Sequence, residues 1–376
     1  MKLFDVYPLF DITPVKGQDC YVWDDQGTKY LDLYGGHAVI SIGHSHPHYI
    51  QRISDQVNKI GFYSNSVQNP LQKELAEKLG EASEMPDYQL FLCNSGAEAN
   101  ENALKLASFK TGRSKIVAFE KGFHGRTSGA VAITDNPKII APFNADHQKE
   151  ILSLNDLDSV EKVLSKKDVA AVIIEGIQGI GGIVVPDADF MEGLEKLCKQ
   201  YGTLLILDEI QSGYGRSGKF FAFQYTNIKP DMVTMAKGMG NGFPVGGVLI
   251  SPEIEASYGL LGTTFGGNHL ACAASLAVLE VIKDEKLIAN SFNQGKILKD
   301  QLIKINKFKE VRGVGLMIGA ELNDQVSPIR MGLLRKNHIF TGVSGTNTMR
   351  LLPPLTLQGS HVDYFMSSLG EAMDSG

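Results

Sequence analysis

Hydrophobic and polar positions change rhythm along this chain. The first fifty residues are short strand-like pieces between turn signals, and "YVWDDQGTKYLDL" alternates about a D-D-Q-G turn, which predicts a hairpin. From about residue 51 helical spacing alternates with short apolar runs. "NPLQKELAEKLGEAS" and "NSGAEANENALKLASFKTG" have helical periodicity, whereas "KIVAF", "VAAVIIEG", "LLILDE" and "MVTMAKG" are apolar on both faces. Such runs between helices predict an α/β fold with a mostly parallel sheet covered on both sides, since a strand must be apolar wherever helices pack on it. After Asn268 the helical "HLACAASLAVLEVIKDE" leads to a C-terminal part that ends in "MRLLPPLTL" and a last helix.

Three of the apolar runs end in polar groups: Glu175, Asp208 and Lys237. Ligands of open parallel sheets sit at the carboxyl ends of the strands, so these ends mark a candidate site. A lysine that forms a Schiff base must be partly deprotonated, which burial beside another cation favours. The glycine-rich "KGMGNGFPVGG" that begins with Lys237 leaves room for a flat ligand. Alone, Lys237 reads as a solvated strand end and Asp208 as a helix cap or ion-pair partner. Together they match the needs of pyridoxal phosphate, a Schiff-base lysine and an acid for the pyridine nitrogen. "CNSGAEANE" adds a helix start at Ser95, Gly96 and Ala97 whose free N–H groups suit a phosphate, with Glu98 and Glu101 expected in the first turn and Lys105 and Lys110 later, all fitting the helix dipole. A plain serine N-cap is the alternative for that motif.

Composition narrows the field. At 376 residues the chain holds two or three domains or subdomains, and 36 basic against 42 acidic side chains leave no basic field to gather nucleic acid or anionic membrane. No apolar run approaches the ~18 residues of a membrane helix. Cys20, Cys93, Cys198 and Cys272 lack C-x-x-C spacing, and the opening "MKLFDVYPLFDITPVKG" has no apolar h-region, so a reduced, cytoplasmic protein is expected. His44, His46 and His48 in "GHSHPH" have no acidic or cysteine companion ligand in sequence, and no metal is expected.

The fragments "YLDLYGGHAV", "IGHSHP", "NSGAEANENALKLA", "FHGRTSGA", "IIEGIQG", "LLILDEIQSGYGRSG", "AKGMGNGFPVGG", "GTTFGGN", "VRGVGLM" and "RLLPPL" occur in an order that resembles one family across nearly the whole chain. It is the ω-amino-acid subgroup, class III, of the fold-type I pyridoxal-phosphate-dependent aminotransferases, on its acetylornithine aminotransferase branch. The resemblance implies a large cofactor-binding domain over 51–270 and a smaller α+β domain from 1–50 and 271–376. It implies that Lys237 carries the cofactor and shuttles the proton, that Asp208 pairs with the pyridine nitrogen and Gln211 with the ring hydroxyl, and that Phe123 and Ile210 enclose the ring. Ser95, Gly96 and Ala97 would hold the phosphate, joined by Thr264 from a second subunit of a homodimer. Arg126 would bind the donor's α-carboxylate and Arg350 that of glutamate or 2-oxoglutarate, with Thr263, Asn65 and His37 as further pocket residues. The implied reaction moves the δ-amino group of N-acetylornithine to 2-oxoglutarate in arginine biosynthesis. N-succinylornithine, ornithine and 4-aminobutyrate are alternative donors, and a glutamate-semialdehyde type of aminomutase is a further alternative.

Three positions depart from that family's pattern: Gly176, Ile180 and His37, the last standing where a small or apolar residue or a tyrosine is usual and either structural or in contact with the donor's carboxylate or acyl group. Where relatives read E-P-I-Q-G-E this chain reads "EGIQGIG", so Gly176 replaces a proline and Ile180 a glutamate that can neutralise the arginine placed at Arg350. Either the acyl pocket tolerates an apolar residue here, or Arg350 stays free and favours a donor with an extra carboxylate.

Overall fold

The computed structural model describes residues 1–374. Its centre is a seven-stranded sheet in the spatial order Gln89–Cys93, Gly246–Ile250, Met232–Met235, Leu204–Asp208, Val169–Glu175, Lys115–Phe119 and Lys149–Leu152. Gly246–Ile250 runs antiparallel to both neighbours, and the other pairings are parallel. Val169–Glu175 is buried along its whole length, the expected state of a strand with helices on both faces. Register matters most for function: Glu175 lies opposite Asp208, and Asp208 opposite Thr234. The polar strand ends therefore meet at one level.

Helix Gly96–Thr111 packs across these strands, capped by the Ser95 hydroxyl and closed by left-handed Gly112. Helix His269–Asp284 is buried on most of its surface and packs against Pro47–Lys59 and Pro70–Ser83. The hairpin expected near the start forms from Tyr21–Asp24 and Lys29–Asp32, whose turn is pinned by Asp24 Oδ1 accepting from Gln26 N and Thr28 N. Lys29–Asp32 then pairs in parallel with Ile339–Phe340, so the two ends of the chain share a small sheet. A second small sheet, Phe308–Val314, Met317–Leu322, Thr348–Leu351 and Gly342–Ser344, is wholly antiparallel and carries Arg350.

Glu101 corrects one expectation. It lies beyond the first helical turn, and its carboxylate accepts from Gly129 N, Ala130 N and the Thr127 hydroxyl, capping the short helix Ser128–Ala132 instead of its own. Glu98 does sit in the first turn, where it accepts from Asn94 N at 2.8 Å. The three histidines of "GHSHPH" diverge to separate carboxylates, His44 to Asp32, His46 to Glu285 and His48 to Glu280. Among the described residues no group of three or more His, Cys, Asp or Glu gathers as a metal site, and no helix is long and apolar enough to cross a membrane.

Candidate active site

At the carboxyl ends of the strands lies a cavity of about 290 Å³, walled by Ser95, Gly96, Ala97, Phe123, Asp208, Ile210, Gln211 and Lys237 among others. Eight positions expected from sequence thus converge on one space. They come from four places: the start of helix Gly96–Thr111, the loop after Lys115–Phe119, the end of Leu204–Asp208, and the turn after Met232–Met235.

Asp208 and Glu209 end their strand on opposite faces, as successive strand residues do. Asp208 is buried at the cavity, where Oδ2 accepts from Asn100 Nδ2 and His124 Nδ1, both at 2.8 Å. Asn100 in turn accepts from the Thr234 hydroxyl at 2.7 Å and donates to the His124 carbonyl at 2.7 Å. Burial opposes a charge on His124, but the bond to Asp208 and the nearby carboxylates outweigh it and raise its pKa. Glu209 points away from the cavity and accepts from the Ser212 hydroxyl, Ala222 N and Phe223 N at 2.6, 3.0 and 2.9 Å. Burial pushes its pKa up to about 7, against the pull of those donors. One of the two adjacent carboxylates serves the site and the other serves the fold.

That arrangement explains Gly176. A Cβ there would lie 2.4 Å from Glu209 Oε1 and 3.0 Å from Ala222 Cβ, in a part of the core where Glu209 is held by three donors. Gly176→Ala is expected to lower stability by about 1–3 kcal/mol, the usual cost of overpacking, and chemical denaturation of the purified variant measures it. An unchanged midpoint would show that Glu209 yields freely.

Lys237 follows its strand by two residues, in the turn Lys237–Met239, with φ at +43°. A lysine in the left-handed region is strained by ~1–3 kcal/mol and persists only where its surroundings over-determine it, which is characteristic of functional sites. The side chain is half-buried, and burial, aided by Arg350 and opposed by Asp208 and Glu175, lowers its pKa to about 8. Glu175 accepts from Phe123 N and Gly179 N at 3.0 and 2.9 Å, and burial pushes its pKa up to about 7. Gln211 lines the cavity and donates to the His37 carbonyl at 3.2 Å, while its Oε1, buried against Gly179, has no partner among the described residues. A buried amide oxygen without a partner costs free energy unless a ligand satisfies it.

The remaining expected positions divide. Arg350 is buried on Thr348–Leu351, where Nε donates to the Val343 carbonyl, Nη1 to the Gly179 carbonyl and Nη2 to the Tyr34 hydroxyl, at 3.0 to 3.2 Å. No carboxylate among the described residues pairs with it, and burial lowers its pKa. Ile180 lines the cavity beside Gly179. His37 is exposed, with φ at +67°, and its ring meets the Tyr34 hydroxyl. Arg126 is exposed, with no ion pair or hydrogen bond among the described residues. Asn65 donates to the carbonyls of Thr263 and Gly266, tying that loop to the segment before helix Pro70–Ser83, and Thr263 bonds Asn94 and Glu98 at the start of helix Gly96–Thr111. Thr264 is exposed and lies off the cavity wall of this single chain. Sequence reading did not single out His124, Asn100 or Thr234, which link to Asp208 only in three dimensions. His124 had one local signal, its place beside Phe123.

The family model "Aminotransferase class-III" matches residues 5–373. The chain is 42% identical over 351 residues to the acetylornithine aminotransferase of Archaeoglobus fulgidus, covering 93% of this chain and 92% of that one. It is also 42% identical over 364 residues to the acetylornithine aminotransferase of Lactococcus lactis, covering 95% of each. A solved ornithine aminotransferase from Toxoplasma gondii, described with pyridoxal phosphate at its active site, superposes with a TM-score of 0.92 at 28% identity, over 98% of this chain and 91% of that one. A strained lysine facing a histidine-bound aspartate at the ends of a mostly parallel sheet, together with these matches, places the chain among the class-III aminotransferases, enzymes that depend on pyridoxal phosphate.

Proposed function

We propose that this aminotransferase moves the δ-amino group of N-acetylornithine to 2-oxoglutarate, giving N-acetylglutamate 5-semialdehyde and glutamate, a step of arginine biosynthesis. The observation that carries the reading is the pairing of a partly buried, strained Lys237 with Asp208 across one cavity, in a chain so similar to acetylornithine aminotransferases.

The residues fit pyridoxal phosphate. Gln211 lines the cavity and its buried Oε1 has no partner among the described residues, the amides of Gly96 and Ala97 open a helix at the cavity, and Gly96 keeps clear of Ile210, whose Cγ2 a Cβ there would approach to 2.8 Å. When bound, the cofactor supplies an aldehyde for the amine and a ring that takes up the electron pair released as the C–H bond breaks. Lys237 Nζ would hold it covalently and, once the donor's amine displaces the lysine, the freed Nζ would take the proton from the carbon bearing the transferred amine. Asp208, held in place by Asn100 and His124, keeps the pyridine nitrogen protonated. Ser95, Gly96 and Ala97 hold the phosphate, and Phe123 and Ile210 enclose the ring. Arg126, exposed and unpaired among the described residues, binds the donor's α-carboxylate. Arg350 binds the carboxylate of 2-oxoglutarate. Thr264 reaches the site of a second copy in a homodimer; its exposure beside the ring pair of Phe62 and Phe265, both open to solvent, supports that arrangement.

N-succinylornithine is the second reading, favoured by Arg350 having no carboxylate partner while Ile180 lines the cavity. Absorbance of cofactor-loaded protein separates the two when each donor is added without acceptor. N-acetylornithine is expected to convert the cofactor's spectrum fastest. A faster N-succinylornithine makes Ile180 a specificity determinant, a faster ornithine or 4-aminobutyrate removes the acyl group from the reading, and no conversion by any of them overturns all four donors and calls for the aminomutase assay, run without a 2-oxo acid.

A further inference from the structure

The turn that carries Lys237 is not held by its own sheet. It is clasped by the N-terminal segment some two hundred residues earlier in the chain. Asn241 is buried, with φ at +46°, and its side chain is spent on consecutive backbone groups of that segment. Oδ1 accepts from Ser41 N at 2.8 Å and Ile42 N at 3.1 Å, and Nδ2 donates to the Gly43 carbonyl at 3.0 Å. The buried Ser41 hydroxyl returns the contact, donating to the Gly238 carbonyl at 2.8 Å, one residue from Lys237. Tyr49 adds a bond from its hydroxyl to the Gly240 carbonyl at 2.7 Å. Inside the turn, Gly240 N donates to the Lys237 carbonyl at 3.0 Å and Phe243 N to the Gly240 carbonyl at 2.9 Å.

A left-handed lysine relaxes unless something forbids it. The clasp supplies that restraint: it fixes the carbonyls of Gly238 and Gly240 and the side chain of Asn241, itself left-handed, so that Lys237 between them and the strand is kept from relaxing. The same segment contributes Val39 to the cavity wall, and the same loop contributes Gly242, Phe243, Pro244 and Val245. Clasp and cavity are continuous.

We propose that Asn241, with Ser41, is a positioning residue whose bonds to the N-terminal segment hold Lys237 in its strained turn, aimed at the cofactor. The inference rests on the reading of Lys237 as the cofactor-binding lysine. Neither Asn241 nor Ser41 lines the cavity. Their whole effect passes through Lys237.

A double-mutant cycle with pyridoxal phosphate affinity as the readout tests this, using dialysed protein titrated with the cofactor well below its melting temperature. Asn241→Gly keeps the left-handed backbone available and removes three hydrogen bonds. It is expected to weaken cofactor binding by at least about tenfold, which corresponds to ~1.4 kcal/mol. In a Lys237→Ala background the same substitution is expected to change affinity by less than about twofold, because the residue it acts through is gone. Ser41→Ala, which deletes a single hydroxyl, is expected to show the same dependence on Lys237 and serves where Asn241→Gly fails to fold. Equal losses with and without Lys237, or a loss of thermal stability with unchanged affinity, would overturn the proposal and leave Asn241 a structural link. If Lys237→Ala alone left the affinity and visible spectrum of the wild type intact, the reading of Lys237 would fall instead.

Discussion

Lys237→Ala is expected to lower kcat by at least ~10³-fold, the range that positioned acid–base catalysis supplies, with the fold retained. The side chain is half-buried, the backbone is strained, and burial lowers the amine's pKa to about 8. At pH 7 about a tenth of such a group is neutral and nucleophilic, against well under a thousandth for a lysine of ordinary pKa. Alanine offers no amine at all, so both covalent attachment and proton transfer at the substrate carbon are lost together. Steady-state assay against circular dichroism checks this, and turnover within tenfold of wild type would reject Lys237 as the acting base.

Asp208→Asn is expected to cost about 10²-fold or more in kcat/KM, because bonds to a charged acceptor are worth ~1.5–3 kcal/mol and a neutral amide cannot hold a pyridine nitrogen protonated. The same substitution removes the partner that raises the pKa of buried His124. The sign follows from that raised pKa. The stabilising bond to charged His124 is fully present below the histidine's unfolded pKa of about 6.5 and fades as pH rises through the higher folded value. The variant's loss of thermal stability is therefore expected to be larger at pH 6 than at pH 9. A pH-independent loss, with catalysis preserved, would leave Asp208 a packing residue.

Much of this site was legible in the residues. The apolar runs ending in Glu175, Asp208 and Lys237 declared strands and their functional ends at once, because burial on both faces leaves polar groups few places to go. Gly246–Ile250 was not legible. It begins with two glycines that weaken any strand pattern, yet a Cβ at Gly246 would come 2.7 Å from the Ser95 carbonyl oxygen, so the glycine answers a close backbone approach. Nor could spacing reveal Asn100, His124 and Thr234 as one network, since a helix, a loop and a strand bring them to Asp208. Glu101 misled for the opposite reason: its place near a helix start suited the local dipole, and a tertiary partner, the helix Ser128–Ala132, claimed it.

The opposed directions of Asp208 and Glu209 make this strand intolerant of length errors. Inserting or deleting one residue between Leu204 and Asp208 would turn every side chain to the other face. An insertion would carry the carboxylate meant for His124 to the position caged by Ser212, Ala222 and Phe223, and a deletion would carry the longer glutamate to the position at the cavity. Two acids side by side thus act as a built-in frame marker, and genetic change can reach this stretch by substitution but not by a single-codon insertion or deletion.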